Sequence, residues 1–497
     1  MSDKIGPALK TYLDSAIDSE TIDVNIFLKD EPAADVLRER GLANAFDEDV
    51  NAVGRIIEGA AASQSDLLSY LADARNRSLS VDEINAPKAL TKQTFWINNS
   101  VGAEVSREVL DEILNRPDVV HVELSQRVEI EELLDDALPQ ESFPGTDAEA
   151  EPTWSVKLIN APLLWQQGLR GEGVLVAVVD TGVNYDHPDL TSHMWDGSPT
   201  YPRHGFDFED NDEDPRDQHG HGTACAGIVA GDGAAGSKTG VAPEATVMAL
   251  RAGNTERSLW DAIEFAILRK AHVISMSMTW KVNRHPDYPG WRRTSESILA
   301  AGVLHANSSG NQGGDLANFP IPYNIGAPGN CPPPRLHPLQ TIVGTLSSAI
   351  SCGATDDTDS LADFSGRGPS AWEKDPYTDY EYQNGSKMGL IKPDICAPGS
   401  GTTSCNWQFS TANGTNVYRS FNGTSAATPY IGGCLALLAQ ACLASGTPII
   451  PARIQEALEE TAVTINGQTK EKENHFGAGR VDVFKAYQYG QNKGWWT

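Results

Sequence analysis

The chain is short of positive charge. Its 497 residues carry 38 Lys plus Arg against 67 Asp plus Glu, a net charge of −29. Neutralising a phosphate backbone takes clustered Lys and Arg, so nucleic-acid binding is excluded as its main task. Long apolar runs are also lacking. The longest, Val174–Val179 and Leu435–Ala439, fall far below the ~18–20 apolar residues of a membrane span, and no membrane partner is expected. The start, MSDKIGPALKTYLDSAIDSE, has no apolar stretch behind a basic tip, which points away from a secretory leader and toward a cytoplasmic protein. Export by a non-standard route is the alternative. Only seven cysteines occur, without a CxxC pair or a Cys/His zinc spacing. Their small, odd number fits buried thiols in a reducing compartment, with a single disulfide such as Cys396–Cys405 left open. Apolar residues still make up 40%. That is enough for a sizeable core, and the length suits two to four domains at ~100–200 residues each.

Three zones follow one another. In residues 1–127, Val24–Leu28, Thr94–Ile97 and Val119–Leu124 read as strands. Residues 53–75 read as a helix with Ile56, Ile57, Ala60, Leu67, Leu68 and Leu71 as candidate core positions. Ser106 is placed to cap a second helix, in which Val109 and Ile113, and Leu110 and Leu114, share a face. The result is a small α+β unit. Residues 128–153 are acidic and hold three prolines, and read as an exposed linker, easy to cut. Residues 154–497 form the third domain. There short apolar strands alternate with helical patterns, as in Val174–Val179, the helix from Ser258, Val273–Met276 and Val303–Ala306. That rhythm predicts an α/β fold with a parallel sheet flanked by helices, with chemistry at the carboxyl ends of strands.

Three short blocks carry that chemistry. Asp180 ends the first apolar strand, in Asp180-Thr181-Gly182-Val183. His221 lies in His219-Gly220-His221-Gly222-Thr223, and Ser425 in Asn422-Gly423-Thr424-Ser425-Ala426 ahead of an apolar helix. Each alone is ordinary: an Asp at a strand end is usually a turn or cap residue, and a lone His is usually structural. Together they supply what a weak nucleophile requires. A serine hydroxyl needs a base within reach, and the base needs a carboxylate to fix its tautomer. The helix after Gly423 also directs N–H groups toward a developing negative charge.

Asp180-Thr181-Gly182 with His187-Pro188-Asp189, His221-Gly222-Thr223-Ala224-Cys225 and Gly423-Thr424-Ser425-Ala426-Ala427-Thr428-Pro429 resemble the three signature blocks of the subtilisin-like serine proteases. The likeness covers roughly 154–486. It implies a subtilisin-like fold and peptide-bond hydrolysis, with Asp180 as orienter, His221 as base, Ser425 as nucleophile and Asn311, in Ser309-Gly310-Asn311, as oxyanion donor. It also implies that a protein or peptide substrate adds a strand beside Ser277, Met278 and Thr279, with Ser309, Gly310 and Phe319 completing the pocket. Here Thr279-Trp280 departs from the glycine usual after that strand, and Ile325–Leu339 looks like an insertion. Ile391–Gly399 resembles a structural loop of the family.

Alternating carboxylates can surround a hard cation, and Asp207, Asp210, Asp212 and Asp214 match a calcium loop found in some family members, so structural Ca²⁺ is expected. Asp189 matches a ligand of another such site. Cys225 matches a thiol that some members carry under the active site. The unit at 1–127 resembles the family's propeptides, which makes it an expected intramolecular inhibitor, with self-cleavage between about 128 and 153. A protease kept inside a cell also needs a defined target or a separate inhibitor protein. No cofactor is required for the chemistry.

Overall fold

The structure is a computed structural model that describes the chain apart from residues 1–2, 16–20, 45–50, 78–88, 135–140, 146–149, 333–346, 348, 371–389, 410–415 and 469–471. The amino-terminal unit is a four-stranded antiparallel sheet of β1 (Ile22–Leu28), β2 (Ala89–Phe95), β3 (Ser100–Val105) and β4 (Val119–Leu124), in the order β2-β3-β1-β4. Alternation along β1 divides its two faces. Val24, Ile26 and Leu28 enter the unit's own core, while Phe27 packs outward against Trp260 at 6.0 Å. Helix α1 (Ala52–Arg77) buries Ile56, Ala60, Leu67 and Leu71, but Ile57 and Leu68 only partly. Ser106 caps α2 (Arg107–Leu114) by accepting from Val109 N, and Val109, Leu110, Ile113 and Leu114 are all buried.

The larger domain is built on seven parallel strands. These are β5 (Leu175–Asp180), β6 (Gly205–Asp207), β7 (Thr246–Arg251), β8 (Val273–Met276), β9 (Leu304–Ser308), β10 (Ile350–Thr355) and β11 (Ile395–Pro398), in the order β11-β10-β9-β8-β5-β7-β6. The α/β expectation holds. Helices α3 (His221–Ala230) and α6 (Thr424–Ala444) pack with the strands into one core, and α4 (Glu256–Leu268) and α5 (Tyr288–Ala300) join a second. By length and composition α6 could cross a bilayer, yet its apolar stretch is 94% buried within the protein. It is therefore a core helix of this domain. All seven cysteines are free and buried, so Cys396 and Cys405 do not pair. Loop Ile391–Gly399 is structural: buried Lys392 donates to Asp394 Oδ2 at 2.7 Å and to Ser347 Oγ at 2.8 Å.

The amino-terminal sheet docks on α4 and α5. Arg257 reaches Asp23 Oδ1 at 2.7 Å, Asn25 Oδ1 at 2.5 Å and the Val24 carbonyl. Arg293 donates to Leu28 O at 2.7 Å, and Ile97 N donates to Glu264 Oε1 at 2.9 Å. Trp260 sits edge-on to Phe27 and Phe95. The junction also buries carboxyl groups. Glu256 accepts from Asp287 N and Trp291 Nε1, Asp287 caps α5 through Gly290 N, and Glu123 of β4 accepts from Leu9 N.

Among residues 128–153, several of the described ones pair with the larger domain. Arg127 pairs antiparallel with Thr255, and Val128 N donates to Asn254 O at 3.1 Å. After the turn Ile130–Leu133, Leu134 lies antiparallel to Met278 and Thr279 N donates to Leu133 O at 3.0 Å. Val128, Leu133 and Leu134 are buried. Farther on, Ser142–Phe143 pairs with Tyr418–Arg419, and Glu151–Pro152 with Ser237–Lys238.

Candidate active site

Asp180, at the carboxyl end of β5, is fully buried and accepts from Thr181 N at 2.8 Å. The same oxygen lies 2.7 Å from His221 Nδ1. His221 opens α3 after Gly220, whose φ of +101° is a left-handed conformation that glycine tolerates. Burial works against the imidazolium, but the Asp180 carboxylate outweighs it and holds the ring's pKa well above its usual value. The ring stands edge-on to Phe421 at 5.2 Å.

Sequence reasoning did not single out Asp217, which ties these two residues together. One of its oxygens accepts from Thr181 Oγ1, His219 N and Gly220 N, and the other from Thr223 N and Thr223 Oγ1. Thr181 Oγ1 in turn accepts from Gly222 N. Its one legible trace was an Asp four residues before His221.

Ser425 is the second residue of α6, after Gly423 with φ +127°. Its Oγ donates to Ser277 O at 3.3 Å, and Ser277 Oγ donates back to Ser425 O at 3.0 Å. Cys225 Sγ lies 3.8 Å from His221 Nδ1 and 3.6 Å from Ser425 O, so one thiol touches both residues. Asn311 faces the same helix end. Its Oδ1 accepts from Thr424 N at 2.9 Å and Thr424 Oγ1 at 3.0 Å. A backbone N–H can only donate, so the amide is fixed with Nδ2 as its remaining donor. Gly310, with φ +95°, donates to Thr424 Oγ1, and Ser309 N is held by Cys352 O.

The residues expected to form the pocket are distributed as follows. Ser277, Met278 and Thr279 line the cleft holding Leu133 and Leu134. The backbone of Phe319 is fixed in a turn, its N donating to Asp315 O and its carbonyl accepting from Asn324 Nδ2. The Thr279–Trp280 side is met by Gly326 and Ala327 of the Ile325–Leu339 insertion, whose residues 333–339 lie outside the described ones.

The calcium loop needs correction. Asp207 and Asp210 converge on the guanidinium of Arg251. Asp212 Oδ1 accepts from Asp214 N, and Asp214 pairs with Tyr185 and Arg203. Two arginines already hold three of these carboxylates, so Asp207, Asp210, Asp212 and Asp214 do not fit a resident Ca²⁺. Asp189 fits no better, because its oxygens accept from Ala235 N and Tyr418 OH.

Cys225 has a physical consequence of its own. Burial pushes its thiol up to about 12, so alkylating agents should leave it untouched at neutral pH. A bulky mercurial bound there would displace His221 and Ser425. The expected result is inhibition of the processed enzyme by p-mercuribenzoate and resistance in Cys225→Ser. Full activity with the label shown on Cys225 would refute it.

Residues 171–479 match the family model Peptidase_S8, described as the subtilase family. Thermitase of Thermoactinomyces vulgaris is 30% identical over 339 residues, covering 67% of this chain and 94% of its own. Serine protease AprX of Bacillus subtilis is 31% identical over 345 residues, covering 64% and 66%. Subtilisin E of the same organism is 25% identical over 413 residues, covering 82% and 85%. With that match over most of its length, the chain belongs to the subtilase family and is a serine endopeptidase.

Proposed function

We propose that the chain is a self-cutting zymogen whose peptidase works through Ser425, His221 and Asp180, with Asn311 in the oxyanion hole. The observation that carries this is the buried Asp180–His221 pair, 2.7 Å apart, joined through Cys225 to Ser425 in the first turn of α6. Rotation about χ1 takes Ser425 Oγ from Ser277 O to His221 Nε2, which accepts its proton as the oxygen attacks the peptide carbonyl. Asn311 Nδ2 and Ser425 N receive the negative oxygen. His221 then protonates the departing amine, and water repeats the sequence to release the acid.

The amino-terminal domain serves as intramolecular inhibitor. Support comes from Leu133 and Leu134, which occupy the wall where a substrate strand would pair. The self-cleavage bond lies between Leu134 and Glu141. An intracellular location belongs to the same reading, supported by seven unpaired, buried thiols.

A fluorophosphonate probe tests the chemistry: the processed wild type is labelled and Ser425→Ala is not. An unlabelled wild type would sink the reading. Mass spectrometry tests the processing, with a mature amino terminus expected between residues 135 and 141.

Release of the cleaved domain should depend on pH. Burial pushes Glu264 up to about 8, with Asp261 adding to the rise and the Ile97 N–H opposing it. Burial likewise raises Glu256 and Asp287, aided by the charge of Glu123 at both and by that of Glu256 at Asp287, while the Asp287 N–H opposes the rise at Glu256. The His121 ring lies 3.7 Å from Asp287, and the guanidinium groups facing the cluster include Arg293 beside Asp287 and Arg257 beside Asp261. Carboxyl groups raised by docking hold protons in the docked state. Docking is therefore favoured in acid and weakens as pH climbs from about 4.5 toward about 8. The processed complex should dissociate at least ~10-fold more readily at pH 9 than at pH 6, one pKa unit being a factor of ten. Size-exclusion of the complex at the two values checks this, and equal retention would refute it.

A further inference from the structure

The cleft that receives Leu133 and Leu134 has two walls. One is Ser277–Trp280, along which Leu134 lies opposite Met278 and Thr279 N holds Leu133 O. The other is Ser309–Asn311, fastened to the head of α6 by the bond from Gly310 N to Thr424 Oγ1 at 3.2 Å. A peptide whose carbonyl carbon meets Ser425 while its backbone follows Met278–Thr279 must send the side chain just ahead of the cut bond between these walls.

That gap is filled by a single backbone segment. Trp280 N donates to Ala327 O at 2.8 Å and Ala327 N to Trp280 O at 2.9 Å, which clamps Gly326–Ala327 to the first wall. A methyl placed on Gly326 would lie 2.8 Å from Thr279 Cβ and 3.3 Å from its Oγ1. A methyl placed on Gly310 would come 3.9 Å from Gly326 N. Gly326 therefore abuts the first wall, and at that depth the remaining distance to the second is about what one methyl on Gly310 would fill. Ala327 is fully buried and held to Trp280 by both backbone bonds, so this segment does not swing aside. An aromatic ring needs contact distances of about 3.5–4 Å on each face, and among the described residues Gly326 already takes that distance from Thr279.

We propose that this floor limits the residue ahead of the cut bond to small side chains, those of glycine, alanine or serine, and that Thr279 sets the limit. The inference rests on the serine-endopeptidase reading above and names its substrate class.

Fluorogenic peptides differing only at that residue, Ala, Leu or Phe, test it on the processed enzyme. In the wild type kcat/KM for Ala should exceed that for Phe by about 100-fold or more. Thr279→Gly removes the Cβ and γ atoms facing Gly326 and should raise the Phe-to-Ala ratio at least ~10-fold. Thr279→Ala keeps Cβ and should raise it less. Equal use of Ala and Phe by the wild type overturns the proposal. So does an unchanged ratio in whichever of the two variants still takes a fluorophosphonate on Ser425. A wild type that takes no fluorophosphonate strikes the serine-protease reading instead.

Discussion

Ser425→Ala leaves the chain uncut and lowers peptide hydrolysis on the order of 10⁶-fold, the size known for nucleophile or base removal in subtilisin itself. The geometry explains why no neighbour substitutes. Cys225, the nearest thiol, is 1% exposed and its pKa is pushed up to about 12, so it is neither ionised nor open to a peptide. Ser277 has its hydroxyl committed to Ser425 O. The variant should remain folded, because deleting one Oγ removes a single 3.3 Å bond to Ser277 O and opens almost no space. Intact mass and hydrolysis rate are the measurements. Processing at an unchanged rate would remove Ser425 from the reaction.

Asp180→Asn lowers kcat by about 10⁴-fold, the scale recorded for this replacement in a trypsin-type triad. The substituted amide can still accept from Thr181 N, so the strand end keeps its shape. What it loses is the charge. In the native protein that charge overcomes burial and holds the His221 pKa well above its ordinary value. With the carboxylate gone, the largest raising cause is lost, burial weighs more against the smaller effect of Cys225, and the pKa falls. Activity is lost as His221 gains a proton, so the acid limb of the rate profile must move to lower pH in the variant. Unchanged kcat, or a limb moving toward alkaline pH, would contradict Asp180 as orienter. A purely structural role would lower the folded fraction without moving the limb.

Much of the site was legible because it is written in local signals. Asp180 ends an unbroken apolar strand, Gly220 and Gly423 mark the sharp turns ahead of His221 and Ser425, and Ser106 announced its helix. Strand β3 was not legible, although Val101, Ala103 and Val105 alternate in it, because Gly102 interrupts the pattern. The reason lies 155 residues away in the chain: a methyl on Gly102 would come 2.8 Å from Arg257 Cζ of the other domain. The burial of residues 133 and 134 was hidden for a similar cause. Leu133 and Leu134 are two apolar residues among carboxylates, and only the cleft beside Met278 gives them a place to bury.

By itself, the sequence determined the family, the parallel sheet and the identity of the reacting groups, since strand periodicity, helix caps and glycine turns act over a few residues. The tertiary structure alone decided which cation meets the acidic loop, what fills the gap beside Thr279 and where residues 128–134 rest. Arg251 is 44 residues from Asp207, Ala327 is 47 from Trp280 and Leu134 is 144 from Met278. Ion pairs and close packing depend on distance in space, and no local pattern encodes a partner that far along the chain.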